Sequence, residues 1–315
     1  MNTPVSRPSL PGWNVASINS RQDWTMSTAT IPGLRADLAR LEQWMCSVTD
    51  PIQALRRGTL HLPVIEAIGR QVAAQVAGPT GFLWMTDVPP MSPELLSMLF
   101  LAIGLELGDT SDDYGRLYDV IDHGGSYKDT PIPVSQTLEA TGIHTDSSNR
   151  AVWPRVVALA CVRPSEHGGV SQLVSVHRLH ALLARDSPDT LQQLLRPFVR
   201  DIVTPNSDRS LQSVRNNAFP ILSEEGEVRL RYMRYWIEQG HQRIGQALSA
   251  SQLAALDVLD GLLNSPTLML TRRLNTGDML FINNTSVAHG RTSYIEDPDL
   301  PRHLLRLWLD PLTTS

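Results

Sequence analysis

The feature that most constrains the fold is a series of short apolar runs, separated by turn residues, in the second half of the chain. These runs predict strands over 155–162, 170–175, 219–222, 227–235, 267–274, 279–283 and 302–309. The segments 223–226 and 275–278 have the composition of hairpin turns, so much of the strand pairing is expected to be antiparallel. Short antiparallel strands of this kind favour a closed or double-sheet β core, such as a jelly roll.

Helices are predicted before this core and as insertions within it. Apolar residues recur at helical spacing over 62–78, a buried strand follows over 81–88, and Ser92 with Pro93 opens a second helix that extends to about residue 108. Helical insertions are predicted over 176–195 and 249–263. The expected class is therefore α+β, mainly β, with helices packed outside the strands. The chain has no G-x-G-x-x-G or Walker-type loop, which argues against a doubly wound nucleotide-binding fold.

The expected organisation is an irregular N-terminal arm over 1–30 and a single domain over 31–315. Within that domain, buttressing helices are predicted over about 31–110 and a lid over about 111–140. The β core with its helical insertions is predicted over about 141–315.

Charge and composition narrow the range of partners. Lys and Arg number 27 and Asp and Glu number 32, so the net charge is 27 − 32 = −5, and no basic block is present. We therefore expect a small-molecule substrate, with no nucleic acid and no membrane as partner. No apolar run approaches the roughly 20 residues of a membrane span, and two cysteines, Cys46 and Cys161, are too few for a Cys-rich zinc site. A cytoplasmic location is the expectation.

The pair His144 and Asp146 is the first candidate for chemistry. Residues two apart in an extended segment project from the same face, about 6.5 Å apart along the strand. An imidazole and a carboxylate in this arrangement can converge on one ion, and together they suit a divalent first-row metal.

A third ligand is predicted near the C-terminus, where His289 follows the predicted strand 279–283 and precedes Gly290. It lies 289 − 146 = 143 residues after Asp146. Two histidines and one carboxylate, arranged as a short His-x-Asp element and a distant His, form the facial triad of non-haem iron(II) oxygenases. That triad leaves the opposite face of the metal open.

Two arginines lie on one face of the last predicted strand. The two-residue period places Arg302, Leu304, Arg306 and Trp308 together on that face. About 13 Å of strand separates Arg302 from Arg306, so the two are not expected to bind the same carboxylate. A buried guanidinium needs an anionic partner, which can be a ligand; the alternative is that one or both arginines pair with acidic side chains of the protein or face solvent.

Taken together, these elements resemble the TauD/TfdA and clavaminate-synthase-like group of iron(II)/2-oxoglutarate oxygenases. The resemblance covers about 81–309 and rests on the segments 144–146, 168–171, 284–291 and 302–308 in that order. It implies a double-stranded β-helix, or cupin-like, core. It also implies iron(II) held by His144, Asp146 and His289, with 2-oxoglutarate and O₂ as co-substrates.

The same resemblance implies roles for individual residues. Arg302 matches the arginine that binds the distal carboxylate of 2-oxoglutarate, and Ser171 stands where the family often has a threonine that assists it. Arg306 matches a position that meets an anionic group of the substrate in some members. Asp146 occupies the position that is a small residue in family halogenases, so hydroxylation, desaturation or oxidative ring closure is expected.

Further substrate contacts are predicted less directly. Tyr118 and Gln136 belong to the predicted lid, and the Gly124–Gly125 pair fits a mobile segment. Tyr232 and Arg234 belong to the predicted strand 227–235. For each of these side chains, packing or a surface position is the alternative interpretation.

The expected substrate is a small amino-acid- or peptide-derived metabolite of specialised metabolism, such as antibiotic biosynthesis. A catabolic dioxygenase acting on taurine-like sulfonates or aryloxyacids is the alternative within the family. From other classes, a zinc hydrolase or a non-catalytic metal-binding jelly roll remains open. The chain has no H-E-x-x-H motif to support the hydrolase, and a structural metal would not explain Arg302.

Overall fold

The structure is a computed structural model that describes residues 12–111, 115–126, 134–148, 150, 153–202, 208–297 and 299–311. The helices are α1 (Val15–Asn19), α2 (Leu34–Met45), α3 (Pro51–Ala54), α4 (Pro63–Ala77), α5 (Pro93–Leu105), α6 (Val176–Asp186), α7 (Pro188–Leu194), α8 (Leu211–Asn216), α9 (Arg234–Arg243) and α10 (Ala250–Leu263). The strands are β1 (Thr25–Ser27), β2 (Phe82–Thr86), β3 (Gly108–Thr110), β4 (Tyr118–Val120), β5 (Val156–Arg163), β6 (His167–Gly168), β7 (Ser171–Ser175), β8 (Pro197–Val199), β9 (Ala218–Pro220), β10 (Leu222–Ser223), β11 (Arg229–Leu230), β12 (Leu270–Arg272), β13 (Met279–Asn283), β14 (Val287–Arg291), β15 (Tyr294–Ile295) and β16 (His303–Pro311). A 3₁₀ turn covers Val134–Gln136.

Side-chain caps fix where the predicted helices begin. The Ser92 hydroxyl accepts the backbone N–H of Leu95 at the start of α5, where Pro93 occupies the first turn. Ser249 and Gln252 form a reciprocal capping box at α10. The predicted helices over 62–78 and 249–263 and the helix opened by Ser92 are confirmed, and the insertion over 176–195 forms two helices, α6 and α7.

Two sheets form the layers that enclose the site. The larger sheet has the strand order β1-β2-β13-β5-β16-β3, with β4 also paired to β16. Its pairings are antiparallel except for the parallel pair β1 and β2. The smaller sheet is antiparallel and has the order β12-β7-β14.

Apolar side chains pack against both faces of the larger sheet. Its outer face, which includes Phe281 and Leu307, is covered by α2, α4 and α5. Its inner face contributes Trp84 and Leu304 to a cluster that also contains Leu173 of the smaller sheet. Because side chains alternate along a strand, residues 304, 306 and 308 of β16 all face this space between the sheets.

The structure corrects two predictions about the strands. The predicted strand 227–235 is strand only at β11, and the helix α9 begins at Arg234. The segment 275–278 does not close a hairpin, because β12 pairs within the smaller sheet and β13 within the larger one. The segment 223–226 does connect an antiparallel pair, β10 and β11.

The predicted irregular arm contains regular structure in the part that the structure describes. Trp13 and Ile18 are buried in the cluster between the sheets, and β1 adds a parallel strand to the edge of the larger sheet. Propensity did not reveal these short elements because their formation depends on burying tryptophan and isoleucine side chains against β2. Residues 1–11 lie outside the described residues.

Among the described residues, none of the helices is both long and apolar enough to cross a membrane.

We predict that Leu307→Ala lowers the free energy of unfolding by about 3 kcal/mol, since it opens a cavity under the helices. Leu307 is fully buried on the outer face of β16, so the inner face should stay intact. Urea unfolding would measure the change. Leu253→Ala, at an exposed position on α10, is the control and should change stability by less than about 0.5 kcal/mol. Equal stability of the two variants would contradict the assigned packing.

Candidate metal centre

His144, Asp146 and His289 meet at one point in the structure. One donor atom from each residue lies within 4.8 Å of the others. Oδ1 of Asp146 is 3.3 Å from Nε2 of His144 and 3.6 Å from Nε2 of His289. Two imidazole nitrogens and one carboxylate oxygen in this cluster fit a divalent first-row metal.

Backbone pairing holds the two histidines together. Residue 144 forms an antiparallel bridge with residue 289, and each backbone N–H donates to the other carbonyl, at 2.8 and 2.9 Å. Between the two ligands, the Thr145 N–H donates to the carbonyl of Tyr232, and the Tyr232 N–H donates to Oγ1 of Thr145. The His-x-Asp segment is therefore held on both sides by backbone hydrogen bonds.

The buried side chain of Asn284 fixes the backbone of Asp146. Its Oδ1 accepts the Asp146 N–H at 2.8 Å, and its Nδ2 donates to the carbonyls of Asp146 and Pro154. A side-chain amide can satisfy all three groups at once because it carries both acceptor and donor atoms. This residue joins the end of β13 to the segment that carries the metal ligands.

For two of the three candidate ligands, His289 and Asp146, the surroundings favour the protonation state that metal binding requires. Burial lowers the pKa of His289, which keeps its imidazole neutral. Burial alone would raise the pKa of Asp146, but the Arg306 guanidinium and the hydrogen-bonding imidazoles of His144 and His289 more than offset it and hold that pKa well below its usual range. Nδ1 of His144 hydrogen-bonds the carbonyl of Gly142, which directs Nε2 toward Asp146.

The second oxygen of Asp146 faces β16 of the opposite sheet. The indole Nε1 of Trp308 donates to Oδ2 at 2.7 Å, and Nη1 of Arg306 lies 3.6 Å from the same oxygen. The Arg306 guanidinium lies over the rings of Tyr118 and Trp308, at 4.7 and 4.4 Å from their centroids. Arg306 thus has an acidic partner within the protein, so its burial no longer requires an anionic group on the substrate.

Arg302 occupies a different environment from Arg306. Its side chain is 5% exposed and lies 4.8 Å from the centroid of the Tyr294 ring. Its Nη1 is buried without a hydrogen-bond partner among the described residues. Burial lowers the pKa of this guanidinium, which is the cost of holding a cation in a desolvated site. The two arginines have separate partners, as their spacing predicts.

The Gly168–Gly169 pair makes room beside Arg302. Both residues have left-handed backbone conformations, at φ 72° and 62°. A side chain at Gly168 would overlap the carbonyl of Ser293, and a Cβ at Gly169 would lie 2.6 Å from Oγ of Ser165 and 3.4 Å from Nε of Arg302. Ser171 follows on β7, buried and opposite Arg291 of β14.

The two predicted lid residues, Tyr118 and Gln136, have different surroundings in the structure. Tyr118 lies on β4, under the Arg306 guanidinium and close to the metal cluster. Gln136 ends the 3₁₀ turn, where its carbonyl accepts the backbone N–H of His123. The segments 112–114 and 127–133 of the predicted lid lie outside the described residues.

Tyr232 and Arg234 do not point into the metal cluster. The Tyr232 hydroxyl donates to Asp260 at 2.6 Å, and Arg234 pairs with Asp260, Asp257 and Glu238. The prediction that both lie on a central strand is wrong, because α9 begins at Arg234 and places its side chain beside α10. Their contacts support the segment behind Thr145, and the structure gives them no contact with the ligands' side chains.

Sequence reasoning gave no role to Asn284, Trp308 or Tyr294, although each contacts a key residue of the site. Trp308 could be placed on the inner face by the two-residue period alone. Its hydrogen bond to Asp146 joins residues 162 positions apart, which no local pattern reveals. Asn284 directly follows a predicted strand and begins the segment 284–291 that carries the family resemblance, and these are the signals that pointed to it.

Known proteins resemble this chain over most of its length. The family model described as "Taurine catabolism dioxygenase TauD, TfdA family" matches residues 50–308. FR-33289 synthase of Streptomyces rubellomurinus is 23% identical over 321 residues, covering 98% of this chain and 91% of that protein. A uridine-5'-phosphate dioxygenase of a Streptomyces species is 30% identical over 180 residues, covering 55% of this chain and 63% of that protein.

Among solved structures, an asparagine oxygenase in complex with Fe(II), 3-hydroxyasparagine and succinate superimposes with a TM-score of 0.64. It is 17% identical and covers 91% of this chain and 93% of its own. The fold is therefore shared over nearly the whole length.

We predict that His144→Ala, Asp146→Ala and His289→Ala each abolish stoichiometric Fe(II) binding, because each removes one of three ligands. Iron titration under anaerobic conditions would measure this, and circular dichroism would confirm that the fold is retained. The control is His180→Ala, which removes a histidine that pairs with Glu224 instead. A triad variant that still binds one equivalent of iron with unchanged affinity would refute the assignment of that ligand.

Proposed function

The chain belongs to the TauD, TfdA family of dioxygenases, and from that premise we propose that it hydroxylates a C–H bond of a small amino-acid-derived metabolite. It is an iron(II)- and 2-oxoglutarate-dependent dioxygenase. When bound, the iron and 2-oxoglutarate supply O₂ activation and the oxidising power, with succinate and CO₂ as the co-products. The protein binds and orients the reactants and excludes water.

The observation that carries the proposal is the combination of a three-residue His/Asp cluster with a separate buried guanidinium, that of Arg302, which forms no ion pair with a described carboxylate. His144, Asp146 and His289 would hold the iron, leaving the opposite coordination face open. Arg302 would bind the distal carboxylate of 2-oxoglutarate, since its buried Nη1 lacks a partner among the described residues. A zinc hydrolase or a structural metal site would have no use for this second feature.

Two finer assignments accompany this proposal. Ser171 would assist Arg302 at the distal carboxylate; in support, it is buried and shares a face of β7 with Leu173, which packs between the two sheets. The two facing sheets would correspond to the double-stranded β-helix core that the family resemblance implies. The facing apolar cluster and the location of the ligands between the sheets support that correspondence.

The substrate class rests on the relatives. The solved neighbour with hydroxyasparagine acts on an amino acid, and the relative matching 98% of this chain is named as a synthase of FR-33289. These names favour biosynthesis of a specialised metabolite over sulfonate catabolism. Tyr118 remains the proposed substrate contact closest to the ligands, whereas Gln136 is proposed from its place in the lid alone.

A phosphate-bearing substrate is the second candidate. It is favoured by the relative named uridine-5'-phosphate dioxygenase, which is 30% identical over its matched segment. Arg306 does not decide between the two, because its guanidinium already pairs with Asp146.

The reaction can be tested with purified protein, Fe(II), 2-oxoglutarate and O₂. Succinate formation should rise when an accepted substrate is added, and the screen should contain free amino acids, short peptides, phosphonates, nucleoside monophosphates and sulfonates. Stimulation by amino acids or peptides alone supports the first candidate, and stimulation by phosphorus compounds alone supports the second. Absence of any succinate, with or without substrates, would overturn the reaction class.

We predict that Arg302→Leu raises the dissociation constant of 2-oxoglutarate by at least tenfold, because a charge-assisted hydrogen bond to a carboxylate contributes roughly 1.5–3 kcal/mol. Anaerobic titration of the iron-loaded protein with 2-oxoglutarate would measure it. Arg155→Leu serves as the control, since that arginine pairs with Glu227 near the surface. An unchanged affinity in Arg302→Leu would assign the distal carboxylate to another residue.

A further inference from the structure

The two oxygens of the Asp146 carboxylate have different partners. Oδ1 faces the two imidazole Nε2 atoms, at 3.3 and 3.6 Å. Oδ2 points the other way and accepts the Trp308 indole N–H at 2.7 Å, with Nη1 of Arg306 at 3.6 Å. One oxygen of this carboxylate therefore faces the candidate metal position, and the other is bound by side chains of the protein.

The donors on the protein side are held in place by stacking. The Arg306 guanidinium lies over the rings of both Tyr118 and Trp308, and residues 306 and 308 share the inner face of β16. Tyr118 belongs to β4, whose Cα register places it directly opposite Arg306. The Trp308 indole therefore binds Oδ2 from a strand that is paired on both sides, and the Arg306 guanidinium packs on the rings of Trp308 and Tyr118.

The number of carboxylate oxygens on the metal matters for this chemistry. A carboxylate can ligate through one oxygen or through both. If Asp146 used both, it would occupy a position on the face that the 2-oxo acid and O₂ need. A hydrogen bond to the second oxygen opposes that rotation, because rotation would break it inside a buried site.

We propose that Trp308 is a positioning residue that, together with Arg306, keeps Asp146 a one-oxygen ligand and so keeps the co-substrate face open. This proposal rests on the proposed function of the site. Trp308 gives the more specific test of the two donors. Its Nε1 lies 2.7 Å from Oδ2, compared with 3.6 Å for Nη1 of Arg306, and it carries no charge. Its removal therefore tests the hydrogen bond without changing the net charge of the site.

The cleanest test replaces Trp308 by benzothienylalanine, which keeps the ring shape and puts sulfur where the N–H was. Trp84 offers a matched control, because its indole also donates to a carboxylate, Asp278, at 3.4 Å, within the core. The same replacement at Trp84 removes an indole–carboxylate hydrogen bond that does not involve a metal ligand. Trp308→Phe is the second variant, made of natural residues.

Fe(II) and then 2-oxoglutarate would be titrated anaerobically, with the visible charge-transfer band of the iron chelate reporting the second step. We expect both Trp308 variants to raise the dissociation constant of 2-oxoglutarate on the order of tenfold while that of Fe(II) changes much less. The Trp84 variant should change neither. The split between the two constants is the signature, since a loss of packing would weaken both together.

Two results would overturn the proposal, and a third would overturn the proposed function on which it rests. A 2-oxoglutarate affinity within twofold of wild type in both Trp308 variants would overturn it. Parallel weakening of iron and 2-oxoglutarate, with a lower thermal midpoint, would assign Trp308 a structural role only. Failure of the wild-type protein to bind 2-oxoglutarate would instead overturn the proposed function on which the inference rests.

Discussion

The site depends on one carboxylate that is shared between the two sheets. Asp146 lies on the segment that pairs with the smaller sheet through His144 and His289, yet its outer oxygen is bound from the larger sheet by Trp308. Its backbone is fixed by Asn284, at the end of β13. Because both sheets and the end of β13 form hydrogen bonds with Asp146 or its neighbours, a shift of either sheet would change the position of its carboxylate.

The two buried arginines near this carboxylate, Arg302 and Arg306, have different partners. Arg306 compensates Asp146, which keeps the carboxylate ionised in a buried position. Arg302 has no described carboxylate within salt-bridge distance and rests on the face of Tyr294. Arg306 of β16 is thus already paired by the protein, whereas Arg302, which directly precedes that strand, has no such acidic partner among the described residues.

Much of this could be predicted from sequence because it follows from local periodicity. The His-x-Asp spacing, the inner face of β16 and the capped helices each depend on residues a few positions apart. The fate of the segment 227–235 could not be predicted in this way. Its apolar run matches a strand, but Arg234 begins a helix, where its guanidinium meets Asp257 and Asp260 of α10. Tertiary context, which includes these ion pairs and the burial of Ile237 on α9, overrides a short strand pattern.

The same argument explains why Tyr232 was predicted to contact the substrate. Its residue type and position do not reveal the hydrogen bonds that it forms in the structure. Its hydroxyl binds Asp260, while its backbone N–H and carbonyl bind Thr145, between the two metal ligands. A buried polar side chain near a metal can face the ligand space or anchor the backbone that carries the ligands, and composition cannot separate these cases. Here the anchoring residues, Tyr232 and Asn284, act on the main chain, whereas Trp308 acts on a ligand atom. Only the last is expected to alter how the metal accepts its co-substrate while leaving the fold unchanged.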